Sequence, residues 1–230
     1  MQRNMPKKKV IKKSALSPTV LIAGGAGFIG SHLAERFLEE GARVVVLDNF
    51  RTGKDIYIES LQNNDRFAFF DANINEGIPD NIQSVDYIVH LASVESYLYS
   101  RDQVNLDSLL TNALGTKTLL DFAHKSEAKF LLVSSIDVYE GLMSPLNLDE
   151  YFGHTQEEEK RYSLSEAKRF AEALVWEYYK KNNTNVRIVR LPEIYGPRMN
   201  LDSTGALGKF LKEVVNNHSL TIKGEGTEKE

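Results

Sequence analysis

The chain has no cysteine in 230 residues. That excludes a disulfide framework, a thiolate zinc site and a cysteine nucleophile, and it fits a cytoplasmic protein. Charge of one predominant sign is also missing. The 28 Lys and Arg residues nearly balance 32 Asp and Glu residues, for a net charge of −4. This argues against a general nucleic-acid or membrane surface. Apolar runs are a few residues long, far short of the roughly 18 that a membrane span needs. Internal repeats and low-complexity stretches are absent beyond a lysine-rich start. Acidic and histidine residues nowhere show metal-ligand spacing, and Glu157-Glu158-Glu159 reads as a solvated run ahead of a helix, so no metal site is expected.

What remains is a globular composition, 42% hydrophobic and 26% charged, enough for one domain or a domain and a half. Residues 1–18 carry Lys7, Lys8, Lys9, Lys12 and Lys13 without an apolar segment and read as a disordered basic leader rather than a secretion signal. From Thr19 onward β-rich runs alternate with helical patterns, which marks a parallel α/β sheet. Strands are expected at Thr19–Ala23, Arg43–Asp48, Phe67–Phe70, Tyr87–Leu91, Lys129–Val133 and Val186–Arg190. The fifth, an unbroken apolar run, should be buried on both faces. Helices are expected at Phe28–Glu40, Leu106–Lys125, Ser163–Lys181 and Gly205–Asn217, with a short strand at Leu220–Ile222. In the second helix, Leu106, Leu109, Leu110, Ala113, Leu114 and Leu120 share one face.

Gly24, Gly27 and Gly30 stand in a G-x-x-G-x-x-G spacing between the first strand and the first helix. The first can turn the chain tightly, the second lets backbone approach a pyrophosphate, and the third lets helix and sheet pack closely. The helix N-terminus then offers free N–H groups and a positive dipole end. Asp48 ends the second strand about 20 residues on, completing the dinucleotide fingerprint. A carboxylate there accepts bonds from the ribose hydroxyls and repels a 2′-phosphate, so NAD is preferred over NADP. Arg43 and Arg51 are the cations that a 2′-phosphate could otherwise use.

Gly24-Gly25-Ala26-Gly27-Phe28-Ile29-Gly30, Asp48-Asn49-Phe50-Arg51-Thr52-Gly53, His90-Leu91-Ala92-Ser93, Ser134-Ser135-Ile136-Asp137-Val138-Tyr139 and Tyr195-Gly196-Pro197-Arg198 follow one another in order. Together they resemble the nucleotide-sugar epimerases and dehydratases of the extended short-chain dehydrogenase/reductase family. The branch they resemble most is UDP-glucuronate decarboxylase, which has a segment similar to Tyr151-Phe152-Gly153-His154. The resemblance runs from Thr19 to the C-terminus. It implies a Rossmann-type doubly wound parallel sheet at residues 19–190 and, at residues 191–230, a partial sugar-binding lobe that stops short of the family's length. It further implies NAD as cofactor, a UDP-sugar substrate, and a homodimer paired through Leu106–Lys125 and Ser163–Lys181.

By that resemblance the cofactor contacts are Gly24, Gly27, Phe28, Ile29, Asp48, Asn49, Phe50, Thr52, Gly53, Asp71, Ala72, Leu91, Ala92, Ser93 and Lys168, with Glu193 and Arg198 on the substrate side. His90 reads as a packed strand-end residue. Family chemistry takes a hydride from the sugar C4 while a tyrosinate, four residues before a lysine, takes the hydroxyl proton. Here Ser135 matches the hydroxyl-binding position, Asp137 is a candidate acid/base, and Lys168 matches the lysine. The tyrosine position is Leu164. Tyr162 is the candidate stand-in, although six residues before Lys168 it lies about 120° off that face of a regular helix. Ser163-Leu164-Ser165-Glu166 also reads as a capping box with Ser163 as N-cap, which leaves Tyr162 outside the helix. Glu193 stands where the family carries an asparagine. Three readings follow: an enzyme with altered proton chemistry, an NAD-binding protein without catalysis, or a fragment.

Overall fold

The structure, a computed structural model, describes residues 10–94, 101–139, 162–201 and 205–222. Its described residues fall into two units, Met1–Pro192 and Glu193–Glu230. In the first, β1 (Thr19–Ala23), β2 (Arg43–Asp48), β3 (Phe67–Asp71), β4 (Tyr87–His90), β5 (Lys129–Ser135) and β6 (Val186–Leu191) form one parallel sheet in the order β3-β2-β1-β4-β5-β6. This is a Rossmann-type doubly wound sheet. The strand order reverses between β1 and β4, and that reversal opens a crevice at the strands' carboxyl ends.

Helix α1 (Phe28–Glu39) covers one face, where Ala34 and Leu38 pack on Val20, Ile22, Val44 and Val46. Helices α2 (Arg101–Leu110), α3 (Thr116–Ser126) and α4 (Tyr162–Asn182) belong to the other side. There Leu119, Leu120, Ala123, Ala171 and Val175 close over Leu21, Val45, Ile88, Phe130 and Leu132. Alternate residues of β1 and β2 thus feed opposite cores, which is why those strands read as continuous apolar runs. β5 departs from that pattern: Phe130, Leu132 and Ser134 are buried, while Leu131, Val133 and Ser135 are only half-buried.

Three other expectations are corrected. A single π turn at Thr111–Gly115 joins α2 to α3, and this segment turns Ser108, Thr111, Asn112, Gly115 and Thr116 inward. Leu106, Leu109 and Leu114 point outward instead, at 56%, 39% and 48% exposure. The cause is close packing, because a Cβ on Gly115 would lie 2.5 Å from Ile74 Cδ1. The leader is not loose throughout. Ile11 is buried, and it accepts from Gln83 N–H at 2.8 Å and donates to Asn81 O at 2.7 Å in a bridge beside Ile82. Leu220–Ile222 form no strand: in the second unit Thr221 N–H donates to Glu213 Oε2 at 2.9 Å after α5 (Gly205–Val215).

Candidate functional site

At the carboxyl end of β1 the chain turns through Gly24 (φ +82°), whose N–H donates to Leu47 O at 2.8 Å. A Cβ here would lie 2.7 Å from Ala92 N, so only glycine lets β1 turn beneath the Leu91–Ala92 backbone. Gly30 is tighter still, its Cβ position being 2.2 Å from Gly24 O. Gly27 has extended backbone, and the nearest atom to its Cβ position is Gly24 O at 3.3 Å, which leaves space over the loop. Helix α1 begins at Phe28 and Ile29 with no side-chain cap. The first-turn donors of α1 are thus left without a side-chain cap, a pattern that suits a pyrophosphate.

Asp48 does more than end β2. Its Oδ2 accepts from Ala26 N–H and its Oδ1 from Phe50 N–H, both at 2.9 Å, so it clasps the glycine loop to the loop that follows β2. Burial pushes its carboxyl above the ordinary range, the two amides oppose that, and neighbouring Asp71 adds to it. Each oxygen keeps acceptor capacity for a ribose hydroxyl. Beyond it, Asn49 Oδ1 accepts from Arg51 N–H at 3.1 Å, Phe50 takes left-handed backbone (φ +55°), and Phe50 stacks on Phe69 at 4.8 Å. Thr52 is exposed in the same loop. Gly53 has no room for a side chain, with Asp48 Oδ1 2.9 Å from its Cβ position. Lys54 N–H donates to Ala26 O at 3.0 Å. Asp71 pairs in register with Asp48, and Ala72 N–H donates to Asp48 O at 3.2 Å. Leu91 N–H donates to Ala23 O at 2.9 Å, and Ser93 Oγ accepts from the buried Asn112 amide at 3.4 Å. The fingerprint residues therefore converge on one crevice, and the cradle fits a dinucleotide.

The second cluster lies at the end of β5. Ser135 Oγ donates to Asp137 Oδ2 at 2.9 Å, while Asp137 N–H donates back to Ser135 Oγ at 3.2 Å. Lys168 is buried, and its Nζ donates to Val133 O at 3.1 Å, two residues before Ser135. Arg169 Nε holds the neighbouring turn by donating to Val138 O at 3.0 Å. Leu164 is buried one turn before Lys168. Helix α4 starts at Tyr162, so Ser163 lies inside it rather than capping it. The side chains of Tyr162 and Ser163 lie outside the described residues, as do Tyr151–His154 and Glu157–Glu159.

His90 is a packed residue, as expected, with Nε2 3.0 Å from Thr116 Oγ1. Burial, with a contribution from the Lys168 charge, pushes its pKa down to about 3. The Arg190 contacts were not anticipated. Arg190 donates to both oxygens of Glu172, at 3.0 and 2.7 Å, and to Tyr139 OH at 2.6 Å. They tie β6 and α4 to the turn carrying Asp137. No sequence signal separates Arg190 from Arg187, the other arginine of this strand. Glu193 is exposed and Arg198 half-buried, both in the second unit. Among the described residues no group of acidic or histidine side chains could hold a metal, and no helix is long and apolar enough to cross a membrane.

A Rossmann sheet with a glycine cradle, a carboxylate ending β2, a serine ending β5 and a buried lysine on α4 defines a class of nucleotide-binding α/β proteins. The NAD dependent epimerase/dehydratase family model matches residues 20–229, and the chain belongs to that family. Among curated relatives, UDP-glucuronic acid decarboxylase 1 of Arabidopsis thaliana is 33% identical over 207 residues, covering 90% of this chain and 47% of the relative. The Xenopus tropicalis protein of the same name is 30% identical over 207 residues, 90% of this chain and 48% of its own. The chain thus spans about half the length of these curated relatives. The crystal structure of a UDP-glucuronic acid 4-epimerase from Bacillus cereus in complex with NAD superposes with a TM-score of 0.72 at 27% identity, over 91% of this chain and 66% of that one.

Proposed function

We propose that the chain binds NAD and modifies a UDP-sugar of the glucuronate type by oxidation at C4, in the manner of the decarboxylases and 4-epimerases it resembles. The observation that carries this reading is the meeting of Ser135, Asp137 and the buried Lys168 at the end of β5. NAD, when bound, supplies the hydride acceptor. Gly24, Gly27 and the N-terminus of α1 hold its pyrophosphate, while Asp48 orients the adenosine ribose. In this reading Lys168 donates to the second ribose and supplies positive charge. The Ser135 hydroxyl receives the sugar hydroxyl, and its own proton already points to Asp137, so the Ser135–Asp137 pair takes the role that the family gives to a phenol. Glu193 and Arg198, in residues 191–230, belong to the sugar side of this proposal.

The same reading includes a cytoplasmic homodimer. Leu106, Leu109 and Leu114, turned to the outside of α2 and of the π turn that follows it, support the dimer together with Phe170 of α4. Leu164 favours a second reading, an NAD-holding protein without turnover, because a buried leucine has no proton to move.

The deciding experiment incubates stoichiometric protein with NAD and UDP-glucuronate, following NADH absorbance and the mass of the sugar. A 4-keto sugar or UDP-pentose, lost in Asp137→Asn and kept in Tyr162→Phe, is expected. Loss in Tyr162→Phe instead assigns the proton to Tyr162. Bound NAD without hydride transfer selects the second reading.

A further inference from the structure

Arg51 lies three residues past Asp48, in a loop whose backbone is pinned on both sides. Phe50 N–H bonds to Asp48, Arg51 N–H to Asn49 Oδ1, and Lys54 N–H to Ala26 O. A guanidinium only three residues past Asp48 is the candidate cation for a 2′-phosphate beside that carboxylate. Arginine is also well suited to phosphate, offering a planar fork of donors. In this fold Arg51 is turned elsewhere: its Nη2 forms an ion pair with Asp107 Oδ2 of α2. Because β2 and β4 flank β1, the pair crosses from the loop after β2 to the helix after β4, over the end of β1 that carries the glycine cradle. Both partners are partly exposed, at 38% and 29% of their side chains, so the pair can open without unfolding its surroundings.

We infer that Asp107 is a cofactor-specificity residue: by holding the Arg51 guanidinium against α2, it withholds the cation that a 2′-phosphate would need. This rests on the reading of the cradle as an NAD site and adds a second device to Asp48. Asp48 repels the phosphate directly. Asp107 neutralises and anchors the Arg51 guanidinium. Discrimination between the two dinucleotides then comes both from an unfavourable contact and from a favourable one kept out of reach.

The test is direct binding of NAD and of NADP, by calorimetry or fluorescence, to the wild type, Asp107→Asn, Asp107→Glu, Arg51→Ala and the double variant Arg51→Ala/Asp107→Asn. Wild type and Asp107→Glu, which keeps the pair, should both prefer NAD. Asp107→Asn should gain about tenfold in NADP affinity, the size of a charge-assisted contact, with NAD affinity little changed. Arg51→Ala should leave NADP binding as weak as in the wild type, and the double variant should erase the gain. Unchanged NADP binding in Asp107→Asn, or a gain that survives in the double variant, overturns the assignment while leaving the NAD site standing. No NAD binding by the wild type overturns both.

Discussion

Leu164 precedes Lys168 by one turn of α4, and both side chains are 5% exposed on the same buried face of the helix. Residues four apart on a helix are neighbours, so a phenol at 164 would stand beside the ammonium that binds the family's cofactor. Leu164→Tyr should therefore add a proton-transfer route. In single-turnover mixtures with NAD and UDP-glucuronate, NADH should form about a hundredfold faster than in the wild type, the scale of a positioned general base. The larger side chain should cost about 1–3 kcal/mol of stability in denaturant titrations, since the site is already filled. An unchanged rate in a folded variant would show that position 164 does not face the reacting sugar.

Two of the cradle glycines make separable predictions. Gly30→Ala sets a Cβ 2.2 Å from Gly24 O, which only backbone movement can relieve, and should lower stability by about 3 kcal/mol or more. Gly27→Ala meets only Gly24 O at 3.3 Å and needs no special backbone. Its stability should stay within about 1 kcal/mol, yet NAD affinity should fall at least about tenfold because the methyl occupies the pyrophosphate's approach. Chemical denaturation and NAD titration of both variants check this. Equal losses of stability would refute the division of roles.

How far the sequence discloses this molecule depends on how local each constraint is. β1 and β2 are legible because strands buried on both faces must be apolar throughout, and the glycine cradle is legible because backbone contact tolerates nothing larger. The inward face of α2 and of the π turn after it is not, since an apolar stripe is assumed to point inward. Around Thr111–Gly115, where Gly115 approaches Ile74 closely, small and polar residues take the inside and Leu106, Leu109 and Leu114 the outside, while Leu120 of the same stripe packs inward. Ile11 has no periodic neighbours to announce its docking against Ile82. The Arg190 bonds to Glu172 and Tyr139, and the ion pair of Arg51 with Asp107, join segments far apart in sequence, and no spacing rule connects them. Leu164 was legible for the opposite reason, because a fixed four-residue spacing makes one substitution conspicuous.

His90 should govern stability in mild acid. Its folded pKa, pushed down to about 3 by burial, lies below the unfolded value of 6.5. Between those limits the unfolded chain binds a proton that the folded chain does not, so stability falls as pH drops below 6.5. At pH 5 the loss relative to pH 7 should be about 2 kcal/mol. Asp48 acts in the opposite sense: its raised pKa costs stability as pH rises above 3.8. Urea titrations from pH 5 to 7 should show the slope in the wild type and a flatter curve in His90→Gln. Parallel curves would assign the acid sensitivity to other groups.

The outward leucines carry the last prediction. Leu106 and Leu109 on α2 are 56% and 39% exposed, yet the sequence spaces them as a core stripe would be. An apolar stripe left outside the fold is stabilised when a second surface covers it. Equilibrium sedimentation should find a dimer for the wild type and a monomer for Leu106→Glu/Leu109→Glu. The monomer's own stability should change by less than about 1 kcal/mol, because neither side chain belongs to the core of its own subunit. A wild type that sediments as a monomer at every concentration refutes the dimer outright. A double variant that remains dimeric moves the interface away from α2, and exposed Phe170 of α4 is then substituted.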